Sequence, residues 1–370
     1  MADTQAATGL TRQEWDDKFF REYMQENRFK PYMGQKTNSV IQVKENFRQK
    51  KGDQLHFALV NRLKADATTG SDVLEGNEER LDTRSHAQRI NKRRHAVRVS
   101  AMEEQKSAIG LRNAAREELL DWAMEDTRDR IIEQLGAVTG VNPANNGVGS
   151  IPLPVATAAQ RDAWTTTNED RIIFGNANAN FSGTHGTGMS NITSSMSFTS
   201  GVASQMKRMA LAAQPKIRPL RVNGGRRFFV VFCGTRTFRD IKQDPTITNA
   251  QRDVGIRMQN NKLFKGGDIE WDGMIFHEID DIPLYAVADG MGNTTDVEPV
   301  YLCGAQAISY AGCERWTSVT EAFDYGDKNG VEIHCIDGFG KMQFGTGTGD
   351  TDDKKDHGIV TGYMAAAPDA

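Results

Sequence analysis

Aromatic side chains recur at helical spacing near the start of the chain. Trp15, Phe19 and Tyr23 stand four residues apart, and Thr11–Glu14 has the S/T-x-x-E spacing of a helix capping box. The pattern predicts a helix that begins in this box and ends before Pro31. Such a stripe packs either on the core of its own chain or on a neighbouring subunit, and both interpretations stay open. We take the three aromatic residues as candidates for contacts between subunits.

Beyond Gly52 the pattern changes from helical spacing to alternation. Apolar residues alternate with polar ones over Leu55–Leu59 and again over Val97–Val99. Alternation is typical of strands that bury one face. We therefore predict one long hairpin over residues 53–100.

The predicted hairpin carries opposite charges on its tip and on its return strand. Residues 66–82 contain six acidic side chains and one base, Arg80, whereas residues 84–98 contain six Lys or Arg and no acid. Opposed charge blocks favour docking onto copies of the same chain, and an isolated hairpin is marginal in water. For the basic stretch, a solvated face and a DNA-contact strip remain alternatives. The candidate contact residues are Glu75, Glu78, Glu79, Arg89, Arg93, Arg94 and Arg98.

The clearest helical pattern in the chain runs from about residue 102 to 138. Its apolar side chains form two stripes, Ala108, Leu111, Ala115 and Leu119 on one and Leu120, Met124, Ile131 and Leu135 on the other. Gly136 and Gly140 can end the helix. A helix of about 35 residues is roughly 50 Å long. We expect a rod that braces an extended subunit.

Residues 139–201 are rich in Gly, Ala, Asn, Ser and Thr, and we predict a loop or insertion there. They include the glycine-rich run Gly183–Gly188. A phosphate-binding loop needs a preceding apolar strand and a following Lys-Ser or Lys-Thr, and this run has neither. Gly345–Gly349 leads into acidic residues and not into a helix, so it gives no sign of nucleotide binding either.

The second half returns to mixed helical and strand-like patterns. They predict a helix over residues 201–213 and another from Thr235 to no later than Asp244, because Pro245 follows. A continuous apolar run predicts a buried strand over Arg227–Cys233. Further strands are predicted over residues 274–279, 283–288, 331–336 and 341–344. The fold class is therefore α+β.

Composition narrows the possible functions. With 370 residues and 38% hydrophobic residues, the chain can build a sizeable core. The mean hydropathy of -0.56 and the short longest apolar run, Phe228–Cys233, predict no membrane span. The first residues lack the features of a secretory signal, so we expect cytoplasmic synthesis. A net charge of -4 argues against tight binding to the DNA backbone, but it suits a container for DNA.

The sequence offers no constellation of catalytic or metal-binding residues. Its four cysteines have no C-x-x-C spacing, and its seven histidines form no H-E-x-x-H motif. We therefore predict no catalytic residue, no cofactor and no metal site, and hence no enzyme.

Short patches in a fixed order carry a family resemblance. They are Leu74–Glu79 with Leu81; Arg94–Arg98; Arg227–Val231 followed by Asp244–Pro245; Trp271–Glu278; and, more weakly, Gly304–Ala307. Their order and the elements between them match along most of the chain. The chain thereby resembles the major capsid proteins of tailed phages with the Hong Kong 97-type fold, and in particular the coliphage N-four type.

The resemblance implies a division into five segments. They are an N-terminal arm (1–52), an E-loop hairpin (53–100), a P-domain with a spine helix at about 102–138 and a Gly/Asn/Thr-rich insertion (101–205), an A-domain (206–300), and P-domain return strands with a C-terminal segment (301–370). Because the E-loop begins near residue 53, we expect no cleaved scaffolding segment ahead of it and a separate scaffolding protein.

The function implied by the resemblance is self-assembly into the icosahedral head shell that encloses packaged double-stranded DNA. Sister copies would form hexamers and pentamers, with each E-loop lying over a neighbour's P-domain and spine. Further implied partners are portal and scaffolding proteins, in some members a decoration protein, and DNA through weak non-specific contacts. The protein would be made in the host bacterial cytoplasm and end in the virion, without a membrane partner.

Three other classes of function remain as alternatives. An encapsulin nanocompartment shares the fold, although encapsulins lack the Leu74–Glu79 patch, and it would co-purify with a cargo protein. A DNA-binding protein using residues 84–98 would need a basic excess that this chain lacks. An α/β enzyme would need a catalytic constellation, and the sequence shows none.

Overall fold

The computed structural model describes residues 28–45, 54–60, 63, 65–70, 73–79, 81, 83–107, 109–139, 150–221, 225–254, 269–344 and 355–368. The described chain divides into two compact units. The smaller unit comprises Lys92–Thr127 and Glu314–Ile336, and the larger unit comprises Arg28–Asn91, Arg128–Cys313 and Asp337–Ala370. The predicted N-terminal helix, with Trp15, Phe19 and Tyr23, lies outside the described residues.

Strands and helices alternate irregularly along the chain, as expected for an α+β fold. The strands are β1 (Met33–Gly34), β2 (Ile41–Lys44), β3 (Gln54–Val60), β4 (Thr83–Arg89), β5 (Asn91–Ser100), β6 (Val138–Thr139), β7 (Ser150–Ile151), β8 (Ile172–Phe174), β9 (Leu220–Arg221), β10 (Arg227–Cys233), β11 (Ile269–Trp271), β12 (Met274–Glu278), β13 (Val297–Cys303), β14 (Ile308–Phe323), β15 (Lys328–Lys341) and β16 (Ile359–Ala365). The helices are α1 (Ala101–Lys106), α2 (Leu111–Leu135), α3 (Ala158–Thr167), α4 (His185–Ser190), α5 (Ser200–Ala212), α6 (Thr235–Gln243) and α7 (Pro245–Val254).

The larger unit is built on a mixed sheet with the strand order β11-β12-β10-β13-β16-β8 and with β9 beside β10. Strand β10 is parallel to β12 and antiparallel to β13. Alternate residues of β10 enter two different hydrophobic clusters, Phe229 and Val231 on one face and Val230 and Phe232 on the other. A strand that is covered on both faces has a continuous apolar run in its sequence. This is why a buried strand over Arg227–Cys233 could be predicted.

Helices cover the two faces of this sheet. On one face, apolar side chains of α5 and α6, among them Met206 and Phe238, pack with Phe229. On the other face, Ile131 and Leu135 from the end of α2 pack with Phe232. No helix among the described residues is long and apolar enough to cross a membrane.

The prediction of a loop over residues 139–201 is wrong for the described part, residues 139 and 150–201. Helix α3 begins at a capping box formed by Thr157 and Gln160, and β8 adds to the large sheet through parallel pairing with β16. Trp164 and Phe174 lie in a hydrophobic cluster that this region shares with Val297 and Tyr363. The composition was misleading because small and polar residues surround a few well-spaced large apolar ones.

A buried polar cluster ties distant segments of the larger unit together. Asp356 is 1% exposed, and its carboxylate accepts hydrogen bonds from Thr139 Oγ1 at 2.6 Å, Trp164 Nε1 at 3.1 Å and Lys341 Nζ at 2.9 Å. Arg171 donates to the main-chain oxygen of Asp356. A buried carboxylate needs this degree of satisfaction, because an unpaired charge in the interior costs several kcal/mol.

The smaller unit combines the first part of α2 with β5 and the outer parts of β14 and β15. Leu119 and Ala123 of α2 pack with Val331 and Ile333 of β15. Trp316 lies edge-on against Trp122, with ring centroids 5.9 Å apart.

One continuous spine helix over residues 102–138 is a wrong prediction. The chain leaves the helical conformation at Ser107, which has φ -81° and ψ 135°, and α2 begins at Leu111. Its 25 residues span about 37 Å at 1.5 Å per residue. Ala115 and Leu119 of the first predicted stripe are buried. In the second stripe Leu120 and Met124 are 53% and 46% exposed, whereas Ile131 and Leu135 are buried.

The hairpin prediction holds only for its first part. Strands β3 and β4 pair antiparallel from Gln54 with Arg89 to Val60 with Thr83. Strand β5 instead joins a sheet of order β1-β2-β14-β15-β5. A single hairpin over residues 53–100 is therefore wrong, because the alternation at Val97–Val99 belongs to a different sheet.

The predicted elements of the second half mostly agree with the structure. Helices α5 and α6 and strands β10 and β12 are confirmed. The strand over residues 283–288 is wrong, since only an isolated bridge at Tyr285 forms there. The strand over 331–336 is confirmed as part of the longer β15 (Lys328–Lys341), whereas the strand over 341–344 is wrong, because β15 ends at Lys341 and only an isolated bridge forms at Gln343.

The large sheet draws strands from three of the predicted segments, whose bounds stay a prediction. Besides strands from residues 206–300, it contains β8 from residues 101–205 and β16 from residues 301–370. Strand β16 lies between β13 and β8. In this central position its side chains are buried along its whole length. Sequence order alone did not reveal this pairing.

Candidate subunit interface

The root of the β3–β4 hairpin is packed firmly on its own chain. Leu55 and Phe57 of β3 form a hydrophobic cluster with Ala311, Met342 and Phe344. Phe57 is 2% exposed. The root is therefore part of the core of the larger unit.

Hydrogen bonds from β4 reinforce this packing. Gln88 Nε2 donates to Phe339 O at 3.0 Å, and Gln88 Oε1 accepts from Ser309 Oγ at 3.0 Å. The close approach requires glycine in β15, because a Cβ at Gly338 or Gly340 would overlap atoms of Arg89 or Gln88. These contacts fix the direction in which the hairpin leaves the unit.

Two half-buried histidines at the root are held in their neutral form. His86 has Nδ1 2.9 Å from Gln343 O and Nε2 3.1 Å from Ser309 Oγ. Burial lowers the pKa of His86 to about 4. His357 packs on Phe344 with ring centroids 4.7 Å apart, and burial, together with the charge of Arg171 and other nearby cations, lowers its pKa to about 4.

The tip of the hairpin is exposed and unusually apolar for a surface loop. The exposed fractions are 55% for Leu63, 67% for Val73, 62% for Leu74 and 59% for Leu81. Scattered single apolar residues on a surface are normal, but a group of this kind in one loop indicates a binding surface. Sequence reasoning concentrated on the charges and missed these apolar residues, although Val73 and Leu74 stand next to each other in a polar loop.

The three candidate acids are exposed at the tip, and two of them also shape it. Glu79 Oε2 accepts from Ala65 N at 2.8 Å, and Glu78 Oε2 accepts from Gly76 N at 2.8 Å. Glu75 is exposed. The tip therefore presents carboxylates and apolar side chains on a loop whose form is partly fixed by hydrogen bonds.

The candidate arginines have more varied surroundings than a continuous basic strip would have. Arg93 forms an ion pair with Asp126, and its guanidinium lies over the ring of Trp316 at 5.2 Å. Arg98 is exposed but lies over Phe323 at 5.0 Å. Arg94 is exposed and Arg89 is half-buried.

One of the candidate arginines is already engaged inside its own chain. Arg93 is half-buried and contacts the Asp126 carboxylate and the Trp316 ring of the smaller unit, and its contact with a neighbouring subunit stays a prediction. The acidic tip lies in the larger unit, whereas Arg93, Arg94 and Arg98 lie in the smaller one. Among the described residues, no group of three or more His, Cys, Asp or Glu is arranged to hold a metal ion.

Comparison with known proteins finds one family and one curated protein that are similar to this chain over nearly its whole length. A model of the family described as "Phage capsid protein" matches residues 4–368. The major capsid protein of Pseudomonas phage KPP25 is 28% identical over 371 residues, which cover 95% of this chain and 94% of that protein.

Solved phage capsid structures resemble the chain over its whole length. The cyanophage Pam1 capsid subunit is 33% identical with a TM-score of 0.86, and the alignment covers 100% of both chains. The capsid protein of Ralstonia phage GP4 is 21% identical with a TM-score of 0.77, again over 100% of both chains, and it shows the shared fold. These similarities do not favour the encapsulin alternative.

Proposed function

Because the chain belongs to the phage capsid protein family and is a major capsid protein with the Hong Kong 97-type α+β fold, we propose that the tip of the β3–β4 hairpin joins it to sister copies in the shell. The supporting observation is the contrast along this hairpin between a buried root and an exposed apolar tip. Burial of one Val or Leu side chain contributes about 1.5 to 3 kcal/mol. Several such side chains per copy, repeated around a closed shell, add up to a strong assembly.

The carboxylates at the tip favour a partner surface with positive charge. Sister copies offer exposed Arg94 and Arg98 on β5 and exposed Leu120 and Met124 on α2. Together these residues provide the apolar and basic character that complements the tip. Complementary charge would speed the encounter and fix the register, while apolar burial would supply most of the affinity.

Further parts of the assembly follow from the same proposal. Sister copies form hexamers and pentamers through the part of the larger unit built on residues 206–300. Portal and scaffolding proteins guide assembly in the host bacterial cytoplasm, and a decoration protein can add to the outside. Packaged DNA touches the shell only weakly, because a net charge of -4 gives no strong attraction to phosphates. The subunit performs no catalysis.

The tip can be tested by making it polar. The double substitution Val73→Ser and Leu74→Ser should leave the subunit folded, with its thermal midpoint unchanged within about 2 °C, because both side chains are already exposed. The yield of closed shells, measured by sedimentation velocity and negative-stain electron microscopy, should fall at least tenfold. The chain would be co-expressed with its scaffolding partner.

Leu211→Ser provides a matched control. Leu211 is 46% exposed and lies on α5, away from the hairpin in the sequence. This variant should assemble normally. Normal shell yield from the tip variant would contradict the proposal, and so would an equal loss in both variants.

A further inference from the structure

Strand β14 has a long outer edge that the rest of the described chain does not pair. Strand β2 pairs with β14 only over Ile308–Ala311, while β15 lies on the opposite edge of β14. Over Glu314–Phe323, no other strand in the described part of the chain lies on the outer edge. An unpaired strand edge presents a row of N–H and C=O groups that can pair with another chain.

This edge has little of the protection that an exposed strand normally carries. Glu314–Phe323 contains no proline or lysine, which are common means of preventing edge pairing, and its charged residues Glu314, Arg315 and Glu321 include both signs. Every side chain of Thr317–Phe323 is exposed. Val319 and Phe323 are 46% and 39% exposed, and the segment is rich in residues that favour strands.

The turn that follows carries a wholly exposed aromatic residue. Asp324 and Tyr325 have φ 53° and 51°, the backbone conformation that a tight turn between two hairpin strands requires. Tyr325 has a relative exposure of 111%. The turn thus places a large ring in solvent, where a second copy can bury it.

We propose that the outer edge of β14 pairs antiparallel with the same edge of a second copy across a two-fold axis centred on Ser318. This inference rests on the proposed function, in which sister copies surround the subunit. The pairing places Arg315 of each copy opposite Glu321 of the other. It also places Thr317 opposite Val319 and leaves the Tyr325 turn just beyond the paired segment, next to the partner.

The charges select this register over its neighbours. A shift of the centre by half a residue towards the N-terminus sets Glu314 against Glu321, and a shift the other way leaves Arg315 opposite Ala322. A register that pairs Arg315 with Glu314 would extend onto residues that β2 already covers. The two-fold contact occupies the outer β14 edge of both copies. A third copy therefore has no such edge to add to, and the pairing does not propagate into fibres.

A disulfide scan tests the register directly. In the proposed pair the two Ser318 Cβ atoms lie about 4.5 to 5.5 Å apart, near the separation that a disulfide needs. Ser318→Cys, in a Cys313→Ser background, should give a covalent dimer when assembled shells are oxidised and run on a non-reducing gel.

Thr320→Cys in the same background is the matched control. Thr320 and Ser318 are both exposed, but the two copies of residue 320 would lie four residues apart along the strands, about 13 Å. It should give no dimer. Absence of the dimer from Ser318→Cys shells, or equal dimer from both variants, would overturn the proposed pairing.

A charge reversal provides an independent test. Arg315→Glu and Glu321→Arg should each lower shell yield at least fivefold, and the double variant should restore it. Residues 315 and 321 lie about 20 Å apart along one strand, so restoration requires contact between copies. Failure of the double variant to restore shells that the single variants lose would contradict the pairing.

The two proposals fail in distinguishable ways. If the tip variant Val73→Ser/Leu74→Ser assembles normally while Ser318→Cys gives the dimer, the hairpin-tip proposal fails and the β14 pairing stands. If the tip variant loses its shells but Ser318→Cys gives no dimer in wild-type-like shells, only the β14 pairing fails.

Discussion

The root and the tip of the β3–β4 hairpin belong to one pair of strands but have opposite surroundings. At the root, Leu55 and Phe57 are 8% and 2% exposed, whereas Val73 and Leu74 at the tip are 67% and 62% exposed. The root has its hydrogen bonds and apolar contacts inside the subunit. This contrast teaches that a projecting element can be anchored by its own core and still keep its apolar surface for sister copies.

The contrast also changes the simplest version of the assembly idea. From the sequence, the whole hairpin is too poor in core to be stable on its own. The structure places the root on Ala311, Met342 and Phe344 of the same chain, so only the tip needs a neighbour. In the proposed assembly the hairpin would therefore reach its partner already oriented, and less conformational entropy would be lost when it docks.

The largest expected effect is on the root. Phe57→Ala removes a ring that is 2% exposed and should lower the free energy of unfolding of the subunit by about 3 to 5 kcal/mol. Chemical denaturation of the unassembled subunit measures this. Leu74→Ala at the tip is the control and should change the same quantity by less than about 0.5 kcal/mol. Similar losses at the two sites would remove the distinction between root and tip.

Acid should lower the free energy of unfolding of the subunit through two histidines at the root of the hairpin. The pKa values of His86 and His357 are lowered to about 4, while the unfolded value is about 6.5. The unfolded chain therefore binds more protons than the folded chain in this range, and stability falls as the pH falls from about 6.5 towards 4.

Between pH 7 and pH 5.5 the two histidines together should lower the free energy of unfolding by about 2 to 3 kcal/mol. Denaturation curves at several pH values measure the slope. His86→Gln, which cannot take up a proton in this range, should make the slope shallower. An unchanged slope in that variant would show that His86 is not buried in its neutral form.

A smaller effect is expected from the hydrogen bonds at the root. Gln88→Ala removes the bonds to Phe339 O and Ser309 Oγ and should lower the free energy of unfolding by about 1 to 2 kcal/mol. Exposed Asn77, whose Nδ2 donates to Val73 O at 2.8 Å, gives the control Asn77→Ala. A loss at Asn77 as large as that at Gln88 would mean that the tip contributes to subunit stability.

The sequence predicted best those elements whose pattern is local. The apolar run Arg227–Cys233 and the stop before Pro245 gave β10 and α6 their bounds. The break at Ser107 was missed because residues 102–138 keep their helical spacing across it. Strand β16 was missed because its place between β13 and β8 depends on partners distant in the sequence.

The sequence predicted the charge of the candidate interface better than it predicted the surroundings of the individual residues. The charges of Glu75, Glu78 and Glu79 indicated the tip correctly as an exposed surface. The surroundings of Arg93 were not predicted, because its partner Asp126 lies 33 residues away on a helix, and no local pattern reveals such an ion pair. The open edge of β14 is a property of the sheet as a whole, so only the structure could show it.

Hydrogen exchange of free subunits and assembled shells tests the contrast between root and tip most directly. Main-chain amides over Leu55–Phe57 and His86–Gln88 should exchange slowly in both states, because the root is buried in the subunit itself. Amides over residues 73–79 should exchange rapidly in the free subunit and at least tenfold more slowly in the shell. Equal rates for residues 73–79 in the two states would contradict the account.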